Sequence, residues 1–353
     1  MNIFNILDML VEQRGSDIHL IAGVPPVLRV DGDLVPVPGV APLGEQELEI
    51  LIDPLLNEEQ KKKFAENREW DFAYQHENKG RFRINVYMAK GYKSAALRLI
   101  PSHIMTIEEL GLPPIFNKLA TKKQGLVLVT GPTGEGKSTS LAALIDKINS
   151  TRNEHILTIE DPIEFIYEPK KSIVSQREVH GDTKDWNIAL RSALREDPDI
   201  VLVGEMRDYE TMAAAITVAE TGHLVLATLH TSTAAQTIDR IIDTFPAHQQ
   251  EQIRQQTAAC LEAVISQRLL KKNGGGRVAA FEVMSVNAGV RNLIREGKTY
   301  QIDNIIQTTM DEGNMLIETS LFGLIQNNLI NPEDAMRTAF RPDQLSRMLG
   351  GGQ

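Results

Sequence analysis

The spacing of apolar residues predicts a small α+β module in the first hundred residues. The predicted elements are a helix over residues 2–13, a strand over 17–21, a hairpin over 26–36, a polar helix over 58–67 and strands over 81–88 and 94–100. The hairpin is expected to turn at Asp31–Gly32. The apolar side of the first helix consists of Ile3, Ile6, Leu7, Leu10 and Val11. The module shows no obvious chemistry of its own.

From residue 125 onward, short apolar runs alternate with helical patterns, which predicts a mostly parallel sheet with helices packed around it. The helices predicted here cover residues 139–148, 186–196, 249–270 and a segment from the N-cap Asp208 to Gly222. Beyond Phe281 the pattern is mainly helical, with an N-cap and a first-turn proline at Asn331–Pro332.

Three prolines, Pro101, Pro113 and Pro114, mark the passage between these two regions. We therefore predict an N-terminal domain over residues 1–100 and a second domain over residues 101–353, whose C-terminal helices start near residue 285.

The run Leu126–Thr130 leads into Gly131, four further residues and then Gly136, Lys137 and Ser138. This spacing is typical of the strand, loop and helix start of a phosphate-binding P-loop. In such loops backbone N–H groups converge on phosphate oxygens, the lysine reaches the β- and γ-phosphates, and the serine hydroxyl ligates Mg²⁺. The alternative is a chance glycine-rich turn, which the flanking strand and helix disfavour. The predicted nucleotide-binding residues are Gly131, Pro132, Thr133, Gly134, Glu135, Gly136, Lys137, Ser138 and Thr139.

Glu135 is unusual in this loop because it places an acid close to where phosphate charge is expected. If its carboxylate points to solvent, the electrostatic cost is small. Otherwise the acid is expected to weaken nucleotide binding.

Acidic residues follow the other predicted strands, and ligands gather at the carboxyl ends of strands in open α/β sheets. Glu205 follows an apolar strand and is predicted, together with Ser138, to hold a metal ion or its water ligand. Glu164 is the first candidate and Glu160 the second to polarise an attacking water, and their spacing does not decide between them. Asp161 is interpreted as a cap of the turn at Pro162.

His230 closes a further apolar strand, where it is predicted to donate to a γ-phosphate oxygen and to report the loss of that phosphate. His223 begins the same strand and is not placed in the site.

Strict alternation puts Arg81 and Arg83 on the polar face of one N-terminal strand, and Arg98 has a similar outward position on the next. On the residues alone, these are either solvated strand arginines or functional cations.

The composition is that of an ordinary globular protein, with 42% hydrophobic and 24% charged residues among 353. A net charge of −10 argues against general nucleic-acid binding. The single Cys260 leaves no disulfide framework and no CxxC metal site, so we expect a cytoplasmic, zinc-free protein. Because no apolar run approaches the roughly 18 residues of a membrane span and no basic signal region is present, we expect membrane association only through partners.

Five blocks in order resemble the secretion-type RecA-like ATPases, and most closely the PilT-type pilus retraction motors. These blocks are Gly131–Ser138 (Walker A), Thr158–Phe165 (aspartate box), Glu196–Asp208 (Walker B), Thr221–Thr231 (histidine box) and Val290–Glu296 (retraction motif). Two N-terminal segments, Gly15–Leu20 and Gly80–Val86, also match.

The resemblance implies a PAS-like N-terminal domain, a RecA-like α/β ATPase domain and a helical C-terminal region. It also implies ATP and Mg²⁺ as ligands, a homohexameric ring, and docking on the pilus platform protein at the cytoplasmic face of the inner membrane. In such a ring, N-terminal arginines of a neighbouring subunit line each ATP site, so Arg81, Arg83 and Arg98 become expected phosphate contacts.

This chain departs from the retraction pattern at two positions. Glu135 replaces the usual serine, and Gly289 stands where an alanine is usual. We therefore predict a hexameric ATPase motor for pilus retraction and twitching motility. The alternatives are an accessory retraction or type II secretion-like ATPase with the same core, and a nucleotide-dependent assembly scaffold with little turnover.

Overall fold

The computed structural model describes residues 2–13, 15–30, 32–77, 79–100 and 103–350. The chain divides into two compact units. The N-terminal unit comprises Met1–His103 together with the short segment Pro162–Ile166, and the second unit comprises Ile104–Asp161 and Tyr167–Gln353. Pro101, at the predicted boundary, lies outside the described residues.

The N-terminal unit is a six-stranded antiparallel sheet with helices packed on it. Its described elements are α1 (Ile3–Glu12), β1 (Asp17–Leu20), β2 (Val27–Val30), β3 (Asp33–Pro36), α2 (Glu45–Ile52), α3 (Glu58–Asn67), β4 (Glu69–His76), β5 (Gly80–Ala89) and β6 (Tyr92–Ile100). The strand order is β3-β2-β1-β6-β5-β4. Strands β5 and β6, which carry the predicted arginines, are therefore internal strands of the sheet and not edge strands.

Most predicted elements of this unit are confirmed. Helix α1 starts where the side chain of Asn2 accepts a hydrogen bond from the backbone of Asn5, and its apolar side is buried in the core. The hairpin β2–β3 pairs as expected, although Asp31 in its turn lies outside the described residues. Helix α2 and strand β4 are absent from the prediction, and β4 does show a strand signal in the alternation of Trp70, Phe72 and Tyr74.

The second unit is built on a seven-stranded sheet with the order β13-β12-β7-β11-β10-β8-β9. Its elements up to the last strand are α4 (Ile115–Leu119), β7 (Gly125–Thr130), α5 (Lys137–Thr151), β8 (His155–Glu160), β9 (Ile173–Glu178), α6 (Trp186–Ala193), β10 (Ile200–Val203), α7 (Tyr209–Glu220), β11 (Leu224–Leu229), α8 (Ala234–Asp243), α9 (Ala247–Cys260), β12 (Leu261–Lys271) and β13 (Arg277–Ser285). Neighbouring strands are parallel except for β12 and β13. This confirms the predicted mostly parallel sheet.

Helices follow the last strand. They are α10 (Ala288–Glu296), α11 (Ile302–Thr308), α12 (Ile317–Gln326), α13 (Pro332–Thr338) and α14 (Pro342–Gly350). Asn331 caps α13 as predicted. None of the helices within the described ranges is both long and apolar enough to cross a bilayer.

The long helix predicted over residues 249–270 is wrong. Helix α9 ends at Cys260, and the following apolar run forms β12 between β7 and β13. A buried central strand and a buried helix both have continuous apolar runs, so periodicity does not separate them. Here the residues form a strand because they pair with β7 on one side and with β13 on the other. The helix predicted over 186–196 is also shorter, because a tight turn from Arg195 N–H to the carbonyl of Ser192 follows its end at Ala193.

A buried group of charged side chains links β13 to the C-terminal helices. Glu282 of β13 is fully buried and accepts a 2.8 Å hydrogen bond from the backbone N–H of Ala234. The carboxylate of Glu318 on α12, also fully buried, accepts hydrogen bonds from the backbone N–H and the guanidinium of Arg341 at 2.7 and 3.1 Å. Asp303 of α11 pairs with the same guanidinium. The carboxylates in this group outnumber the cation.

Burial raises the pKa of Glu282 to about 7. The hydrogen bond from Ala234 opposes this shift, and the charge of Asp303 adds to it. Between pH 4.5, the ordinary pKa of a glutamate, and about pH 7, the folded protein therefore keeps a proton that the unfolded chain has released. Consequently, Glu282 lowers the free energy of unfolding as the pH rises from its pKa in the unfolded chain to its pKa in the folded protein.

We expect Glu282→Gln to stabilise the protein by ~2 kcal/mol at pH 8 and by much less at pH 5. Glutamine stays neutral at both pH values, and its amide oxygen can still accept the hydrogen bond from Ala234. Urea unfolding at the two pH values measures the difference. Glu333→Gln, which changes an exposed carboxylate at the start of α13, is the control and should show no such pH dependence. An equal gain from Glu282→Gln at both pH values would contradict the prediction.

Candidate functional site

The loop between β7 and α5 has the backbone of a phosphate-binding loop. Gly131, Gly134 and Gly136 have φ values of 143°, 83° and 79°, which side-chain-bearing residues rarely adopt. A Cβ on Gly131 would also lie 2.5 Å from the carbonyl oxygen of Gln267. Glycine is therefore required at position 131 both by its conformation and by the closeness of β12.

Lys137 is buried at the start of α5, and its ammonium group faces back into the loop. The Nζ atom donates to the carbonyl oxygens of Gly131 and Pro132 at 2.8 and 2.9 Å. Ser138 and Thr139 follow in the first turn of α5 and are partly exposed. The loop is thus curled around its own lysine, with the helix N-terminus and the Ser138 hydroxyl beside it, an arrangement suited to an anion.

Gln267 of β12 holds this loop from the side. Its Nε2 donates to the carbonyl oxygen of Glu135 at 2.7 Å, and its Oε1 accepts from the hydroxyl of Ser140 at 2.7 Å. Sequence reasoning does not find Gln267, because the pattern assigns residues 261–270 to a helix. The run of apolar residues around a Ser266–Gln267 pair is the one signal that a buried polar contact lies here.

The carboxylate of Glu135 points toward β12. It accepts a hydrogen bond from the backbone N–H of Leu269, and its other oxygen lies 3.9 Å from the guanidinium of Arg268. Neither of the two expected positions, in free solvent or against the phosphates, describes this placement. Glu135 tethers the loop to the neighbouring strand.

The ends of β10 and β11 carry a second group of predicted site residues. Glu205 accepts hydrogen bonds from His230 Nε2 at 3.0 Å and from Arg207 Nη2 at 2.9 Å. The other ring nitrogen of His230, Nδ1, lies 3.4 Å from the hydroxyl of Thr133 in the P-loop. The structure thereby brings together the predicted residues Glu205, His230 and Thr133.

Burial alone would raise the pKa of Glu205. The hydrogen bond from Arg207 and the charge of His230 outweigh this effect, and the pKa lies below its ordinary value. Glu205 is therefore ionised at neutral pH. Arg207 is absent from the predicted site residues, although it lies two positions after the acid in the Walker B block.

The two candidates for polarising water lie in different settings. Glu160 is the last residue of β8, is buried, and accepts hydrogen bonds from Thr158 and Gln176 at 2.7 and 3.3 Å. Glu164 is exposed and belongs to the segment Pro162–Ile166 of the N-terminal unit. Asp161, at the end of the preceding stretch, is exposed as well.

His223 lies at the opposite end of its strand from His230 and bonds locally, 3.1 Å from the hydroxyl of Thr221 and from the carbonyl of Val218.

The N-terminal arginines share one face of adjacent strands. Arg83 of β5 lies directly opposite Arg98 of β6, and Arg81 is two residues before Arg83 on the same face. Arg98 donates from Nε to Asp17 at 2.8 Å while 70% of its side chain stays exposed. Arg83 has a looser partner in Asp71 at 3.7 Å. Two of these cations are thus oriented by acids of the same sheet and still accessible.

Comparison with known proteins gives consistent results. The family model described as type II/IV secretion system protein matches residues 5–274. The type IV pilus retraction ATPase PilT of Pseudomonas aeruginosa is 49% identical over 343 residues, which are 97% of this chain and 99% of that protein. A twitching motility protein of Neisseria gonorrhoeae is 46% identical over 98% of this chain and 92% of its own length.

This chain belongs to the type II/IV secretion system protein family. Within the family it is a PilT-type pilus retraction ATPase, as the near-complete coverage of both relatives shows. A crystal structure of the pilus retraction motor PilT with bound ADP superimposes with a TM-score of 0.93 at 46% identity, covering 98% of this chain and 99% of that one. The fold predicted for this retraction ATPase, an α/β ATPase domain after a smaller sheet domain, is confirmed.

The tether at Glu135 gives a testable difference between two substitutions. Glu135→Ser should lower the free energy of unfolding by about 1 kcal/mol, because the contact with Leu269 is lost. Glu135→Gln should retain most of that stability, since its amide oxygen can still accept from the same N–H. Urea unfolding of the nucleotide-free protein compares them. Equal losses for both variants would contradict the stabilising hydrogen bond to Leu269. An ADP affinity that rises about tenfold in Glu135→Ser would show that the charge faces the phosphates instead.

Proposed function

We propose that this ATPase binds Mg-ATP in its P-loop and couples hydrolysis to ADP and phosphate to domain rotation in a homohexameric ring that withdraws pilin subunits. The observation that carries the proposal is the continuous set of contacts from the P-loop through Thr133 and His230 to Glu205. Through these contacts, Glu205 can respond to what is bound in the P-loop. The ADP bound to the related retraction motor supports the same class of ligand for this chain.

Lys137 is the proposed ligand of the β- and γ-phosphates. In the structure its ammonium group donates hydrogen bonds to two loop carbonyls. Phosphate oxygens are charged and therefore stronger acceptors, so they would replace these carbonyls. Backbone N–H groups of the loop and the first turn of α5 complete the phosphate site. We assign to His230 the sensing of the γ-phosphate, and its contact with Thr133 in the loop supports this role.

The donor atoms at the strand ends fit Mg²⁺. Ser138 offers a hydroxyl and Glu205 an ionised carboxylate, both of them oxygen ligands, which Mg²⁺ prefers. These two residues would hold the ion, directly or through water, with the nucleotide phosphates. When bound, the ion supplies neutralisation of charge on the phosphate oxygens. Glu164 and Glu160 both remain candidates for orienting the attacking water, and the buried Glu160 has the more fixed carboxylate.

We place Arg81, Arg83 and Arg98 at the site of a neighbouring subunit in the ring. Their accessibility on one sheet face, and the acids that orient Arg83 and Arg98, support a role in binding an anion from outside their own unit. We further propose that the ring docks on the inner-membrane platform protein of a pilus, at its cytoplasmic face. Relatives named for pilus retraction and twitching motility support that setting.

Two other functions remain to be separated from this one by experiment. An accessory retraction or secretion ATPase would share the same core and the same turnover. A scaffold that binds ATP with little turnover is suggested by Glu135, and its contacts with Leu269 and Arg268 weaken that argument.

Turnover of the purified protein tests the motor against the scaffold. Lys137→Ala is expected to abolish nucleotide binding, and Glu205→Ala to preserve binding while lowering turnover by about a hundredfold or more. A phosphate-release assay measures turnover, and calorimetric titration with ADP measures binding. Arg195→Ala changes an exposed arginine of the same unit and is the control. Near-normal turnover in Glu205→Ala would show that this glutamate is not the Walker B acid.

Mixed rings test whether the arginines act on a neighbour. Arg83→Ala and Glu205→Ala subunits should each be inactive alone, because one lacks the cation and the other the acid. After mixing and confirmed subunit exchange, some interfaces pair an intact Arg83 with an intact Glu205, so part of the activity should return. Full activity of Arg83→Ala by itself would remove this arginine from the site. Zero activity in the exchanged mixture would refute the proposal that single shared interfaces turn over.

A further inference from the structure

Both carboxylate oxygens of Glu205 are occupied in this structure. Oε1 accepts from His230 at 3.0 Å, and Oε2 pairs with Arg207 at 2.9 Å. Each oxygen keeps a second lone pair, but a cationic donor on a carboxylate competes with a metal ion for the same negative charge. The arrival of a nucleotide-bound cation therefore weakens the hold of a charged partner on Glu205.

Arg207 is the partner that can leave at lower cost. His230 is positioned from both sides, with Glu205 on one ring nitrogen and Thr133 near the other. The side chain of Arg207 is 65% exposed, compared with 39% for His230, and a long exposed side chain changes rotamer readily. An arriving cation and the Arg207 guanidinium also repel each other.

A second carboxylate lies within electrostatic reach of Arg207. Its hydrogen bond with Glu205 raises the pKa of Arg207, and the charges of Glu205 and Asp161 both act in the same direction. Asp161 is exposed and directly follows Glu160, the last residue of β8, which is the strand next to β10. An exposed carboxylate in this place can accept the guanidinium of Arg207 without first leaving a buried partner.

We propose that Arg207 is a positioning residue with two carboxylate partners, pairing with Glu205 in the cation-free site and passing to Asp161 when a nucleotide-bound divalent cation takes its place. The inference rests on the proposed function, because it requires a nucleotide in the P-loop. It assigns to Arg207 the task of keeping the carboxylate of Glu205 oriented until the cation binds. It also gives Asp161 a role beyond capping a turn.

The test measures how strongly Mg²⁺ improves ADP binding, with no turnover required. The full-length protein is titrated calorimetrically with ADP, once in EDTA and once in saturating Mg²⁺. The quantity compared is the Kd in EDTA divided by the Kd in Mg²⁺. Arg207→Gln should increase that ratio by about threefold, because the competitor for Glu205 is gone. Arg207→Lys keeps the charge and should change the ratio less. Arg195→Gln is the control and should leave it unaltered.

Asp161→Asn should act in the opposite direction and reduce the ratio by about threefold, because Arg207 loses its second partner. In the Arg207→Gln background the same Asp161→Asn change should have no effect, since its partner is absent. This non-additivity is the signature of a shared interaction, which a general loss of structure does not produce.

Three outcomes overturn the proposal. An effect of Asp161→Asn that is equal with and without Arg207 means that the two residues do not exchange. A ratio that falls in Arg207→Gln means that Arg207 assists the cation instead of competing with it. If the wild-type protein binds no ADP at all, the proposed function fails as well, whereas normal ADP binding with additive effects refutes only the role of Arg207.

Discussion

The shape of the P-loop depends on the close approach of β12. The carbonyl oxygen of Gln267 occupies the space that a side chain at Gly131 would need, while the Gln267 side chain binds both the loop backbone and the first turns of α5. Glu135 adds a further contact to the same strand. Because buried polar groups are costly to leave unpaired, these contacts hold one side of the loop in a single conformation. The nucleotide site is therefore a product of the sheet order as much as of the local motif.

The opposite side of the site is built differently. There the P-loop meets His230 through a hydroxyl, and His230 meets a carboxylate that an exposed arginine also binds. Side-chain contacts of this kind can exchange at little cost, whereas backbone contacts under β12 cannot. The site therefore has one rigid side, at β12, and one side whose contacts can rearrange, at His230 and Glu205. This combination suits a site in which phosphate binding and release must be converted into movement.

The sequence was sufficient for the local chemistry and insufficient for the pairing of distant segments. Lys137, Glu205 and His230 could be placed because each follows an apolar strand, and parallel strands end at one edge. Gln267 and the tether of Glu135 could not be foreseen, because the run from Leu261 to Lys271 has no periodicity that separates a central strand from a helix.

Arg207 was missed for a different reason. Its neighbours in sequence revealed that it follows an acid, but only the turn after β10 brings its guanidinium back onto that acid. The roles of the site residues stay predictions until the variants are measured. What the fold establishes is which of them are within reach of one another.

The assignment of Pro162–Ile166 to the N-terminal unit has a consequence for how the protein can be divided. The chain passes between the two units at three points: after His103, after Asp161 and after Ile166. A truncated chain beginning at Ile104 would thus not be an isolated second unit, because it would still carry the segment Pro162–Ile166 of the other one. A single cut near residue 103 therefore does not separate the two units.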